Sequence, residues 1–239
     1  LCCHQAIVVI VGDLSRPAAK HLAKQSLSGL ARRDKLPRPP IAMPLQRTQN
    51  IFHYLPNNQN TIVLAKLAQL HKTNDLFAQL VGNEVLGGGG MNSILYQQIR
   101  GKHALAYYAG SSATLLHGNG PFTITTQSQA NSSAKALHLA ESSFNQFAKQ
   151  GVSKQRLRAT KKMLIARAPL SLATNMQILQ RVSILAAQNI PMTIITNYPQ
   201  HIKAVRNQDI KRVFQAMAKQ PWVRVVVGSK NILARQESQ

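Results

Sequence analysis

The sequence predicts an α+β chain, and three observations carry that prediction. Strand-like runs at 51–55 and 61–68 flank PNNQN, and runs at 105–113 and 122–127 flank Gly118-Asn119-Gly120, both turn-forming stretches. Helical patterns then follow one another from 132 to 189 with no strand signal between them. A valine-rich run stands near each end, AIVVIVGDLS from Ala6 and VRVVVGSKNI from Val223, stopped by Gly12 and Gly228.

Taken in order, 6–11 is a continuous apolar, β-branched run and reads as a buried strand. Ser15 caps the helix that follows, with Pro17 in its first turn and Leu22, Leu27 and Leu30 along one side. Pro37, Pro39, Pro40 and Pro44 stiffen an extended linker over 37–50. After the strands at 51–55 and 61–68, Asp75 opens a helix carrying Leu76, Gln79, Leu80, Asn83 and Leu86. The glycines Gly87 to Gly90 end it. A helix at 93–101 leads into the strand at 105–113, and 122–127 alternates as a strand does. Helices are expected at 132–150, 153–166, 172–189 and 207–219, before a last strand at 222–227. If the two valine-rich runs are equivalent, 1–36 is the closing strand and helix of one domain. The segment 37–50 is then its linker, and 51–239 a complete second domain.

Length allows one large or two small domains, and 44% hydrophobic with 15% charged residues is a globular composition. The charge is lopsided: 29 Lys and Arg against 7 Asp and Glu give +22. No acidic residue falls between Glu141 and Asp209. Such a surplus suits a polyanion, an anionic surface or an acidic partner, and also a plain solvated helix face. The few aromatics are not interleaved with the cations, so the stacking platforms of single-strand nucleic-acid binders are missing and nucleic acid is not favoured. Cys2 and Cys3 are adjacent, which excludes a disulfide framework and C-x-x-C metal spacing. No apolar stretch reaches the roughly 18 to 20 residues of a membrane span. LCCHQ lacks the marks of a signal peptide. Opening on Leu1, the chain is expected to begin inside a longer precursor.

Most catalytic constellations are absent. His138-Leu139-Ala140-Glu141 opens the inverted zinc motif H-x-x-E-H, but Ser142 stands where the second His belongs, so no zinc site is expected. There is no G-x-S-x-G. A Walker loop needs Gly-Lys-Ser/Thr, whereas Gly90 precedes Met91-Asn92-Ser93. A dinucleotide fingerprint follows a strand, whereas these glycines follow a helix. What remains is LGGGGMNSILYQQIRGKHALAYY, 86–108. A glycine run lets another backbone approach, and Arg100 and Tyr107 both donate hydrogen bonds to carbonyl oxygen. Seven residues across a helix end and a short turn can bring those two side chains to one spot. As a bare pair they equally suit a helix C-terminus and a strand.

The stretch VGNEVLGGGGMNSILYQQIRGKHALAYYAGSS resembles the C-terminal-domain signature of the pitrilysin or insulinase-type zinc metallopeptidases, which include the mitochondrial processing peptidases. That signature runs V-G-N-x-[IL]-L-G-G-G-x-x-S-R-L-x-x-x-[IV]-R-E-K-x-G-L-A-Y, and the similarity spans roughly 5–229. The resemblance implies a mostly antiparallel sheet with helices packed on one face, the metallopeptidase α/β roll. It implies catalytic roles for Arg100 and Tyr107, and substrate-binding roles for Asn83, Gly87, Gly88, Gly89 and Gly90. It also implies that zinc sits not in this chain but in a complementary half or subunit, or in the other copy of a homodimer. The chain is then a zinc-free part of a metalloendopeptidase, inactive alone, that binds and polarises peptide. The alternatives are a non-catalytic structural subunit of the same family and a polyanion-binding basic protein. A periplasmic or other extracytoplasmic compartment follows from the resemblance only. Among the departures from the pattern, Ile94 replaces Arg, Gly101 replaces the Glu after the motif Arg, and Ala104 replaces Gly.

Overall fold

A computed structural model describes residues 6–30, 40–69, 73–114 and 119–233. Cys2, Cys3, Pro37, Pro39 and Gly118 lie outside these. The strands are β1 (Gln49–Tyr54), β2 (Gln59–Gln69), β3 (Ala106–Ala113), β4 (Asn119–Gln129) and β5 (Val223–Gly228). The helices are α1 (Arg16–Leu27), α2 (Thr73–Asn83), α3 (Ile94–Tyr96), α4 (Ser133–Gln150) and α5 (Lys154–Arg167). They continue with α6 (Asn175–Ala187), α7 (Thr193–Thr196), α8 (Tyr198–Ala204) and α9 (Asn207–Ala218). By contacts the chain divides into two units, 1–41 with 165–200, and 42–164 with 201–239. Residues 165–200, included in the expected 51–239 domain, therefore group with the N-terminal segment.

In the first unit, α1 forms as its sequence dictates. Ser15 Oγ accepts from Ala18 N at 3.4 Å, and a proline occupies the first turn. Thr174 and Gln177 make a reciprocal capping box on α6. The run at 6–11 corrects the expectation of a buried strand. It forms no ladder, and Ile7 and Ile10 are exposed. An extended segment becomes a strand only beside another that takes up its backbone hydrogen bonds, and none of the five described strands does so.

The second unit is a five-stranded sheet in the order β1-β5-β2-β4-β3 with helices packed against it, the α+β fold expected. Three of its four pairings are antiparallel, and only β1 runs parallel to β5. The strands flanking PNNQN are not neighbours, because β5 is inserted between them. Period-two alternation fixes which face is inward. Ile62, Leu64, Lys66 and Ala68 of β2 are buried, as are Phe122, Ile124, Thr126 and Ser128 of β4. Against that face lie α4, through Leu137, Phe144 and Phe147, and α9, through Ile210 and Phe214. Phe122 meets Phe144 at 5.7 Å and Phe214 at 5.8 Å between centroids, and Phe147 meets Phe214 edge-on at 4.8 Å. Burying each ring contributes roughly 1.5–3 kcal/mol, and the tilted contacts add to that. Gly82 of α2 lets its helix approach Phe214, since a Cβ there would fall 2.4 Å from the ring.

One cation lies inside this apolar layer. Lys66 is 5% exposed; its ammonium sits 4.1 Å from the Trp222 ring centroid and donates to the Gln220 carbonyl. Burial pushes Lys66 down to about 8, with Glu141 opposing the shift and Arg224 adding to it. Above about 10.5 the lysine is neutral in both folded and unfolded chains, and the penalty for burying charge vanishes; it returns as pH falls to about 8. Relative to Lys66→Met, the wild-type chain should therefore gain stability between pH 8 and 10.5, by about 2 kcal/mol in total. Denaturant melts of both proteins across that range measure it, and a flat difference would mean that the ammonium carries no burial penalty.

Candidate functional site

The segment from α2 to β3 positions the predicted residues. After Asn83 the α2 hydrogen bonding does not stop at the glycines, as expected, but widens into a π-helical turn over Glu84–Gly88. Gly90 adopts φ +59°, a left-handed conformation that favours glycine, and opens a 3₁₀ turn over Gly90–Asn92. Ser93 then accepts from Tyr96 N at 3.4 Å and starts α3, which itself broadens into a π turn over Gln97–Lys102. The chain reverses into β3 with Ala104 at φ +50°.

Arg100 and Tyr107 meet there. β3 carries an irregularity between Ala106 and Tyr108, so Tyr107 is the extra residue of a bulge against β4. Its side chain is turned out and 80% exposed. Arg100 Nη1 donates to the Tyr107 carbonyl at 3.4 Å and to the Tyr96 hydroxyl, and its guanidinium lies 5.1 Å from the Tyr96 ring centroid. Both predicted residues line one open cavity of about 330 Å³, together with Gln59, Gln127, Gln129 and Ser132. Tyr107 Oη is thus a donor presented to solvent, and the Arg100 guanidinium, held by two neutral acceptors, is tied to the backbone of the same residue. That pairing can hold the oxygen of a carbonyl as negative charge grows on it.

The glycines divide. Gly87 is buried, and a Cβ there would lie 2.3 Å from Ser111 N and 2.4 Å from Ser111 Oγ. It packs the turn against β3. Gly88 and Gly90 are exposed and Gly89 half-buried, so only this later part of the run faces outward. Asn83, expected to touch substrate, instead accepts from Ser111 Oγ at 2.7 Å and ties α2 to β3.

Two contributors escaped the sequence reading. Tyr96 anchors Arg100, and the i, i+4 spacing of the two on one helix was its signal. Arg156 of α5 donates through Nη2 to the Val85 carbonyl at 3.4 Å and to the Asn92 carbonyl, clasping the glycine segment from both ends. Nothing local distinguishes Arg156 from the other cations of α5.

The zinc reading does not fit these residues. Both carboxylate oxygens of Glu141 are taken by Arg224, at 2.6 and 3.1 Å, and His138 is exposed. Among the described residues no three His, Cys, Asp or Glu side chains cluster as metal ligands do. Nor is any described helix long and apolar enough to cross a membrane.

Residues 4–164 match the family model described as the peptidase M16 inactive domain. The chain is similar to a peptidase M16 inactive domain from Pseudomonas fluorescens, at 26% identity and a TM-score of 0.81. That match covers 92% of this chain and 53% of the other. A protease from Helicobacter pylori shares the fold at 19% identity and a TM-score of 0.75, over 91% of this chain and 53% of that one. So does the periplasmic protease PqqL from Escherichia coli, at 14% identity and a TM-score of 0.68, over 92% of this chain and 25% of that one. The chain thus spans about half the length of the first two. No curated protein matches the sequence significantly.

Two substitutions test this geometry. Gly87→Ala should destabilise the chain by about 1–3 kcal/mol, because the atoms its methyl meets include backbone that cannot rotate away. Ala104→Gly should stabilise it by about 1 kcal/mol, because a left-handed alanine is strained and glycine is not. Denaturant unfolding measures both; the opposite sign in either case would contradict the backbone described.

Proposed function

The chain belongs to the peptidase M16 inactive-domain family, related to the insulinase-type peptidases, and on that premise we propose that it binds an extended peptide and polarises its scissile carbonyl. Hydrolysis itself falls to a complementary half that bears the zinc, whether an upstream part of the same protein, a partner subunit or a second copy. The observation that carries this reading is the shared cavity: Arg100 and Tyr107 line one open hollow, seven residues apart in sequence.

The peptide carbonyl accepts from Tyr107 Oη and from N–H groups of Arg100. As its carbon becomes tetrahedral the oxygen gains negative charge, and both donors strengthen their hold. Little reorganisation is needed, because the Tyr96 hydroxyl and ring and the Tyr107 carbonyl already fix the guanidinium. The exposed backbone at Gly88 and Gly90 adds room and hydrogen-bonding groups for an extended chain. Asn83, Gly87 and Arg156 hold the turn. A periplasmic or other extracytoplasmic site of action belongs to the same reading, supported by the fold shared with a periplasmic protease.

In the assembled enzyme, Tyr107→Phe removes a donor that matters most in the transition state. It should lower kcat about 10²–10³-fold with little change in KM. Steady-state kinetics on a peptide substrate decide it; an unaltered kcat would remove Tyr107 from the chemistry. The chain alone should cleave no peptide.

A further inference from the structure

We infer that the peptide taken by this site is acidic, an inference that rests on the peptide-binding reading above. The cavity is lined by one cation, by the amides Gln59, Gln127 and Gln129, and by hydroxyls, and none of the described carboxylates is among its walls. Those of the second unit lie elsewhere. Asp75 is buried against Arg212 at 2.5 Å, Glu141 is bidentate with Arg224, and Asp209 accepts from Arg206 N at 3.0 Å. Glu84 lies against Gly89, outside the cavity lining.

Arg100 spends Nη1 on Tyr96 and on the Tyr107 carbonyl, both neutral, so its charge is positioned without being cancelled. Lys102 stands exposed two residues beyond it and two before Ala104, which lines the cavity. Gly101 between them contributes no side chain. A carboxylate entering here meets a guanidinium and amide N–H groups, with the exposed Lys102 on the same turn, and displaces no resident anion. A basic peptide meets the same positive charge and no carboxylate to pair with. Lys102 is accordingly the specificity-determining residue, distinct from the groups that hold the scissile carbonyl.

The test uses the intact chain and two fluorescein-labelled peptides of equal length, alternating Glu-Ala and alternating Gln-Ala, at about 150 mM salt. Fluorescence anisotropy should find the Glu peptide bound about tenfold or more tightly. Lys102→Glu should cut that ratio to about twofold or less, and the milder Lys102→Gln should move it the same way. The control is Lys219→Glu, the same change of charge at the exposed end of α9. Its neighbour Gln220 accepts from Leu67 N, eight residues along β2 from Gln59 and so about 26 Å from it. At that separation salt screens it, and the ratio should stay above about fivefold.

If Lys219→Glu lowers the ratio as much as Lys102→Glu, bulk charge is responsible and the inference is overturned. Equal binding of both peptides, each weakened by Arg100→Met, overturns the acidic preference but leaves the peptide site standing. If Arg100→Met alters the binding of neither peptide, the peptide-binding reading fails and this inference with it. Displacement of the Glu peptide by a single-stranded oligonucleotide with an affinity that falls in Lys102→Glu would assign the site to nucleic acid instead.

Discussion

No methyl group fits between residue 87 and the backbone of Ser111, and the candidate site depends on that closeness. Gly87 brings the turn after α2 onto β3, and the Asn83–Ser111 hydrogen bond beside it fixes the register of the contact. From the same strand β3 projects Tyr107, and from the helical turns that follow the glycines comes Arg100. Both candidate side chains are therefore referred to one strand. Gly110 completes the arrangement: a Cβ there would lie 3.2 Å from the Gly87 carbonyl and 2.6 Å from Tyr108 Oη. A bulge at the start of β3 then re-aims a tyrosine that a regular ladder would have kept in alternation.

Stability and function draw on different parts of the sheet. The inward face of β2, β4 and β5 holds the aromatic cluster together with Lys66 and the Glu141–Arg224 pair. A bidentate pair that is largely removed from solvent costs desolvation and returns orientation. It ties α4 to β5, which has no local sequence contact with it. The candidate site lies instead at the start of β3 and the end of β4, where polar residues line an open hollow. Exposing Tyr107 there costs the aromatic core nothing.

Much of this was legible in the chain, and the failures have physical reasons. Alternation in 122–127 marked a half-buried strand, because a period of two is a property of the strand itself. Helix starts at Ser15 and Ser93 were readable from capping chemistry, which is local as well. The place of β5 between β1 and β2 was not, since strand order is decided by partners far apart in sequence. The apolar run at 6–11 looked like β5 for the same reason: composition records a wish to be buried, not the presence of a neighbour. Helices α7 and α8 went unseen because Pro191 and Pro199 punctuate a stretch too short for a clear period. Arg100 and Tyr107 were found because their spacing carries the resemblance. Tyr96 and Arg156 act only through three-dimensional contact. The bulge that exposes Tyr107 has no signature in residue type at all.

The departures from the family pattern acquire a common meaning once the turn is seen. Where the pattern has Glu, Gly101 leaves open space: a Cβ there would find nothing nearer than the Tyr96 carbonyl at 4.0 Å. A carboxylate at that position would both steady the neighbouring guanidinium and offset its charge. Here steadiness comes from a phenol, a ring face and a bulge carbonyl, none of which is an anion. Orientation and neutralisation are thereby separated. A guanidinium held by neutral groups keeps its full field for whatever enters the hollow, and in a chain of net charge +22 no nearby surplus of anions blunts it. The same logic makes Ala104 intelligible as a tolerated strain: the reversal needs a left-handed residue there, and about 1–2 kcal/mol is small enough for the packing of Gly87 against β3 to absorb.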